Sequence, residues 1–126
     1  MDYSHVKRGC AILFKGEFPC KVGDVQVSAP GKHGHAKKAC VGEDLFTGKK
    51  HQEIFTHHSR IVPVATERIV YSVVLVDEDG YLDLMNEHGV IRSDLNVSQG
   101  MSVKEGDDLT VLRVSWEDTV REEIHN

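Results

Sequence analysis

Cysteine is scarce in this chain of 126 residues, and the three present, Cys10, Cys20 and Cys40, form an odd set with no C-x-x-C spacing. That points away from a disulfide scaffold and toward a reduced, cytoplasmic protein. Long apolar runs are missing too. The longest, "IVYSVVLV" from Ile69 to Val76, falls far short of the ~20 residues that span a bilayer. Met1 is followed by "DYSHVKRG" rather than by an apolar segment, so no secretory leader is expected. Aromatics are few, with one Trp, three Tyr and four Phe. The length allows one domain or two very small ones and leaves little room for a large enclosed active site. A domain of about 60 residues buries only about 60% of the surface its unfolded chain exposes, so each half gains by packing on the other. There is no internal repeat, low-complexity tract or long linker.

The most telling absence is local: between Asp24 and Glu43 there is no acidic residue. It belongs to a wider asymmetry hidden by the net charge of −5. Residues 1–65 carry ten Lys and Arg against six acids, a balance of +4; residues 66–126 carry five against fourteen, a balance of −9, and the two sum to −5. Six of the eight histidines lie in the first half. The split predicts two domains, 1–65 and 66–126, with different partners, the first facing something anionic.

Helical periodicity is also lacking in the first half. Short strands are predicted over 10–14, 20–28, 36–46 and 51–55, where Val25 and Val27 alternate with Gln26 and Ser28. Strands this short, with Gly and Pro in the turns, favour a small barrel. The second half reads as a meander with turns at "EDG" and "EHG", a loop at "SQGMSVKEGDD" and a strand over 109–116. Ser115 and Asp118, with Trp116, Val120 and Ile124 at spacing four, predict a weakly capped helical turn at the end.

The acid-free stretch contains "SAPGKHGHAKKA", Ser28 to Ala39, in which Pro30-Gly31 and Gly34 flank Lys32. Turn residues on both sides place Lys32 at an exposed tip, open to a ligand or to a modifying enzyme. His33, His35, Lys37 and Lys38 add positive character, suited to a phosphate backbone or an anionic pocket. A solvated basic turn explains the charge equally well. A P-loop is excluded because His33 follows Lys32 where Ser or Thr is required. A metal site from His33, His35 and Cys40 lacks a fourth ligand and a recognised spacing. Cys40 as a nucleophile has no histidine placed beside it by the sequence.

"GKHGHAK", Gly31 to Lys37, resembles the modification loop of the eukaryotic translation factor five-A family, relatives of bacterial elongation factor P. "KGEFPCKV" upstream is similar to the family's K-G-x-P-C-K hairpin with one extra residue, and "DLFTGKK", "DGYLDLM" and "IRSDL" resemble its later strands in the same order. Where eukaryotic members usually carry Ser-Lys-Thr before the Gly-Lys, this chain has Ser28-Ala29-Pro30, losing a positive charge. The resemblance implies an N-terminal SH3-like barrel followed by an OB-fold, here with a shortened or missing helix because "SQGMSVKEGDD" is too short for one.

By the same resemblance Lys32 is the lysine converted to hypusine, first by deoxyhypusine synthase, which transfers an aminobutyl group from spermidine using NAD, and then by deoxyhypusine hydroxylase. Gly31, His33, Gly34, His35 and Lys37 would shape the loop and touch RNA. Lys38 falls outside the motif, and Lys49 and Lys50 serve solubility as readily as RNA contact. The implied protein is no enzyme and holds no bound cofactor or metal. It would bind the ribosomal exit site and place the modified lysine at the acceptor end of peptidyl-site tRNA, with a homodimer available when unmodified. A small RNA-binding module using the unmodified basic loop is the alternative.

Overall fold

The computed structural model describes residues 2–28, 36–97 and 101–125. Two compact units partition the chain: 1–65 with 114–120, and 66–113 with 121–126. Apart from one 3-10 turn, Tyr3–His5, the regular structure among the described residues is all strand. No described helix is long and apolar enough to cross a membrane.

In the first unit β1 (Ala11–Phe14), β2 (Phe18–Ser28), β3 (Lys37–Asp44) and β4 (Lys50–Phe55) form an antiparallel sheet in chain order. The sheet curls until its outer strands meet. Phe14 of β1 packs edge-on against Phe55 of β4 with ring centroids 5.5 Å apart, and Glu53 accepts from the Lys15 amide at 2.7 Å. Residues 62–64 line the free side of β1, bonding Leu13 N to Val62 O and Val64 N to Ala11 O. Inside lie Val6, Ile12, Phe14, Cys20, Val22, Cys40, Phe55 and Ile61. A bulge in β2 between Val22 and Val25 adds one residue. Because side chains alternate with period two, that residue reverses the faces and brings Val25, rather than Asp24, to the core side.

The second sheet, formed by β5 (Ala65–Val76), β6 (Tyr81–Met85), β7 (Ile91–Asn96), β8 (Asp108–Trp116) and β9 (Thr119–Ile124) in the order β7-β6-β5-β8-β9, makes up most of the second unit, while the end of β8 and the start of β9 fall in the first. Its edge strands are joined by Arg92 of β7, whose guanidinium donates to Glu122 of β9 at 2.8 Å and to the Tyr71 hydroxyl at 3.2 Å. A five-stranded sheet in this order, closed between its edges, is the OB-fold arrangement. Tyr71, Val73, Leu82, Leu84, Leu109 and Val111 fill it. The turns at Gly80 (φ 85°) and Gly89 (φ 79°) need the left-handed backbone that glycine adopts without strain.

The two barrels agree with the SH3-like and OB-fold expectation. Between β7 and β8 the described residues 101–107 carry no helix and form a turn, in which Lys104 N donates to Asp107. The predicted C-terminal helical turn is corrected: residues 119–124 are strand β9. Apolar residues at 116, 120 and 124 fit a helix, but β-branched Thr119 and Val120 favour a strand. Glu117, at φ 50°, turns the chain back beside β8, where Glu122 gains Arg92 and Ile124 packs on the core.

Candidate RNA-facing hairpin

The acid-free stretch is the connection between β2 and β3. Its base is described: Ser28 pairs with Lys37 and Val27 with Lys38. Gly31, Lys32, His33, Gly34 and His35 lie outside the described residues. Lys37 opens β3 and is exposed.

Lys38, one residue on, does something different. Its ammonium donates to the carbonyls of Tyr3 at 3.0 Å and Val6 at 2.9 Å and lies 4.5 Å from the centre of the Tyr3 ring. Two charge-assisted bonds and a cation–π contact tie the N-terminal turn to the start of β3. Asp2 caps that turn by accepting from the Ser4 amide at 2.9 Å. The Ser4 bonds hold its carboxyl below the usual range, which keeps it an acceptor. Of the two adjacent lysines, Lys37 therefore offers an exposed charge and Lys38 is a structural strut.

The motifs flanking the loop meet at the other end of the β2–β3 ladder, where Cys20 pairs with Asp44. Leu45 N, in "DLFTGKK", donates to Pro19 O, in "KGEFPCKV", at 2.9 Å. His51 stacks on Phe18 with ring centroids 4.0 Å apart. Asp44, only 5% exposed, accepts from the amides of Phe46 at 2.8 Å and Thr47 at 3.0 Å, winding the turn that leaves Lys49 and Lys50 exposed. These segments are a scaffold for the hairpin.

Cysteine chemistry is disfavoured. Cys40 is 2% exposed, and burial pushes its thiol up, the opposite of an activated nucleophile. Burial, aided by the Asp44 and Glu53 carboxylates, pushes Cys20 up to about 12. Among the described residues no three His, Cys, Asp or Glu side chains converge on a metal position. A groove of ≈ 530 Å³ on the β2–β4 sheet is lined by Asp24 and Glu53 and by no cation, so it is no anion site.

Two β-barrels in series, an SH3-like one whose β2–β3 connection is basic and an acidic OB-fold, define a tandem-barrel protein. Residues 1–59 match the family model "Translation initiation factor 5A-like, N-terminal". A eukaryotic translation initiation factor 5A from Spodoptera exigua is 38% identical, over 79% of this chain and 62% of its own length. The 5A-1 factor of Schizosaccharomyces pombe is 35% identical, over 94% of this chain and 80% of its own. Among solved structures, a factor 5A family protein from Naegleria fowleri matches with a TM-score of 0.71 at 26% identity, covering 100% of this chain and 94% of that one. A Methanococcus jannaschii factor 5A shares the fold, with a TM-score of 0.66 at 23% identity. The chain belongs to the eukaryotic translation initiation factor 5A family. It spans 62% of the length of the Spodoptera relative.

Proposed function

We propose that this chain is a cytoplasmic translation factor acting through a hypusine at Lys32, bound at the ribosomal exit site with the modified side chain directed to the acceptor end of the peptidyl-site tRNA. The observation that carries this reading is the "GKHGHAK" motif, set in a family member between the paired ends of β2 and β3. The acid-free run from 25 to 42 and the exposed Lys37 suit an RNA surface, where neutralised phosphates dominate affinity. Adding an aminobutyl arm lengthens Lys32 and supplies a second nitrogen that carries charge, so one residue reaches into a narrow RNA cavity. The ribosome performs the chemistry. The factor contributes orientation of the reacting ends, which lowers a barrier without an acid–base group of its own.

Intact mass and peptide mapping of protein purified from its own cells test the reading. An aminobutyl group on Lys32, with or without the hydroxyl, is the expected result, and Lys32→Arg is expected to impair translation through proline-rich stretches. Unmodified Lys32 together with unimpaired translation in Lys32→Arg would sink it. Steep salt-dependent RNA binding by the unmodified protein would then favour the RNA-binding module.

A further inference from the structure

The OB-fold bears a second surface that the hairpin does not use. In its β5–β6–β7 sheet the register sets Ser72 beside Met85, Met85 beside Ile91, and Leu75 beside Asp83. Alternate positions, such as Val73 and Leu84, are buried in the barrel. The outward positions should therefore be polar. Instead Val70 is 58% exposed and Ile91 52%, with Leu75, Tyr81 and Met85 each exposed by a third or more. Five large apolar side chains on three adjacent strands exceed the scattered singles of an ordinary surface.

The charge around them selects the occupant. Across β5–β7, from 65 to 97, there are seven acids, Glu67, Asp77, Glu78, Asp79, Asp83, Glu87 and Asp94, against two cations, Arg68, which bonds His125, and Arg92. The Arg92 guanidinium is committed to Asp94, Glu122 and Tyr71. Asp77 and Asp79 stand in the turn before β6, Glu87 in the turn after it, and Asp83 lies within the strand. At about 3.4 Å per residue, an extended segment lying along β6 meets carboxylates at both ends and, between them, Tyr81 and Met85 on either side of Asp83. This strand face is where OB-folds commonly hold oligonucleotides, but single-strand binding needs cations along the backbone and several stacking rings. Here Tyr81 is the one aromatic among these outward residues, and the field is negative.

We infer that the outer face of β5–β6–β7 docks an extended protein segment with an apolar middle flanked at both ends by basic side chains, in place of the nucleic acid usual for this fold. Apolar contact supplies the burial, and the carboxylates fix register and reject polyanions.

The full chain, labelled with nitrogen-15, is titrated with a short peptide of leucines flanked at both ends by lysines, with its glutamate counterpart, and with a uridine oligonucleotide. The lysine peptide is expected to shift amides of β5, β6 and β7, more weakly as salt rises. Asp77→Asn with Glu87→Gln preserves side-chain shape and should weaken binding about fivefold. Leu75→Ser with Ile91→Ser should remove it while the spectrum stays dispersed. No shifts on this face, equal binding of the glutamate peptide, or shifts of the same amides by the oligonucleotide would each overturn the inference. Self-association of the free chain through these residues would overturn it too, by making a second copy the occupant. None of these readouts depends on Lys32, so failure here leaves the hypusine proposal standing.

Discussion

Gly42, in the middle of β3, is the position where one added carbon should cost most. A Cβ built there would lie 2.5 Å from Cζ of Phe14 and 2.7 and 2.8 Å from its two Cε atoms, against about 3.5–4.0 Å for an ordinary carbon contact. Gly42 has no left-handed backbone, so alanine meets no conformational penalty. Replacing glycine in fact stiffens the unfolded chain, a gain of about 0.4–1 kcal/mol. The opposing term is steric. Phe14 is fully buried and edge-packed on Phe55, so its ring cannot retreat by the ~1 Å required without displacing the contact that closes the barrel, and overpacking of this kind costs about 1–3 kcal/mol. Gly42→Ala should therefore destabilise the first unit by about 1–2 kcal/mol net, read by urea denaturation followed through the amide signals of β1–β4. Phe14→Leu should be costly alone yet partly relieve the alanine, giving a coupling energy of about 1 kcal/mol in a double-mutant cycle. Additive single effects, or a Gly42→Ala protein at least as stable as the parent, would refute the packing argument.

The legible parts of the fold were those with local causes. Alternating Val25 and Val27, the glycine turns at 80 and 89, and the short apolar runs gave the strands because period-two burial and positive φ leave marks in a few adjacent residues. The β2 bulge left no such mark, since it depends on what β3 offers opposite Val22 and Val25. Strand β9 reads as helix because Trp116, Val120 and Ile124 satisfy spacing four, which masks the strand preference of Thr119 and Val120, and the partner that holds Glu122 on an edge strand, Arg92, lies far upstream. Of the candidate site, the motif was legible through its resemblance, while the contrast between Lys37 and Lys38 was not. The partners of Lys38 are backbone carbonyls over thirty residues away, and any residue type carries a carbonyl, so no sequence signal could name them.

Two further predictions test these long-range contacts. Lys38→Met keeps the apolar stem and deletes the ammonium, leaving the Tyr3 and Val6 carbonyls without their donor. The loss should be about 1–2 kcal/mol, with faster hydrogen exchange at the His5 and Val6 amides that hold the N-terminal turn, whereas Lys37→Met should leave both unchanged. Equal exchange in the two variants would show that Lys38 is not a strut. Arg92→Gln tests the seam of the OB-fold, where the guanidinium, 23% exposed, meets Glu122 at 22% and Asp94 at 62%. Removing it strands a half-buried carboxylate and should cost about 2 kcal/mol, less than a fully buried pair because water still reaches the site. Its acid dependence follows from Asp94, whose carboxyl the Arg92 bonds hold below the usual carboxylate range. A depressed folded pKa means stabilisation that is present above the unfolded value of about 3.9 and is lost as pH falls through the folded one. Unfolding of the second unit should therefore become easier as pH drops below about 4, by a modest amount because Asp94 is mostly solvated. Arg92→Gln should flatten that slope, since the group that lowers the Asp94 pKa is gone. A slope unchanged in the variant would mean that other carboxylates set the acid sensitivity, and that Arg92 closes the barrel through Glu122 and Tyr71 alone.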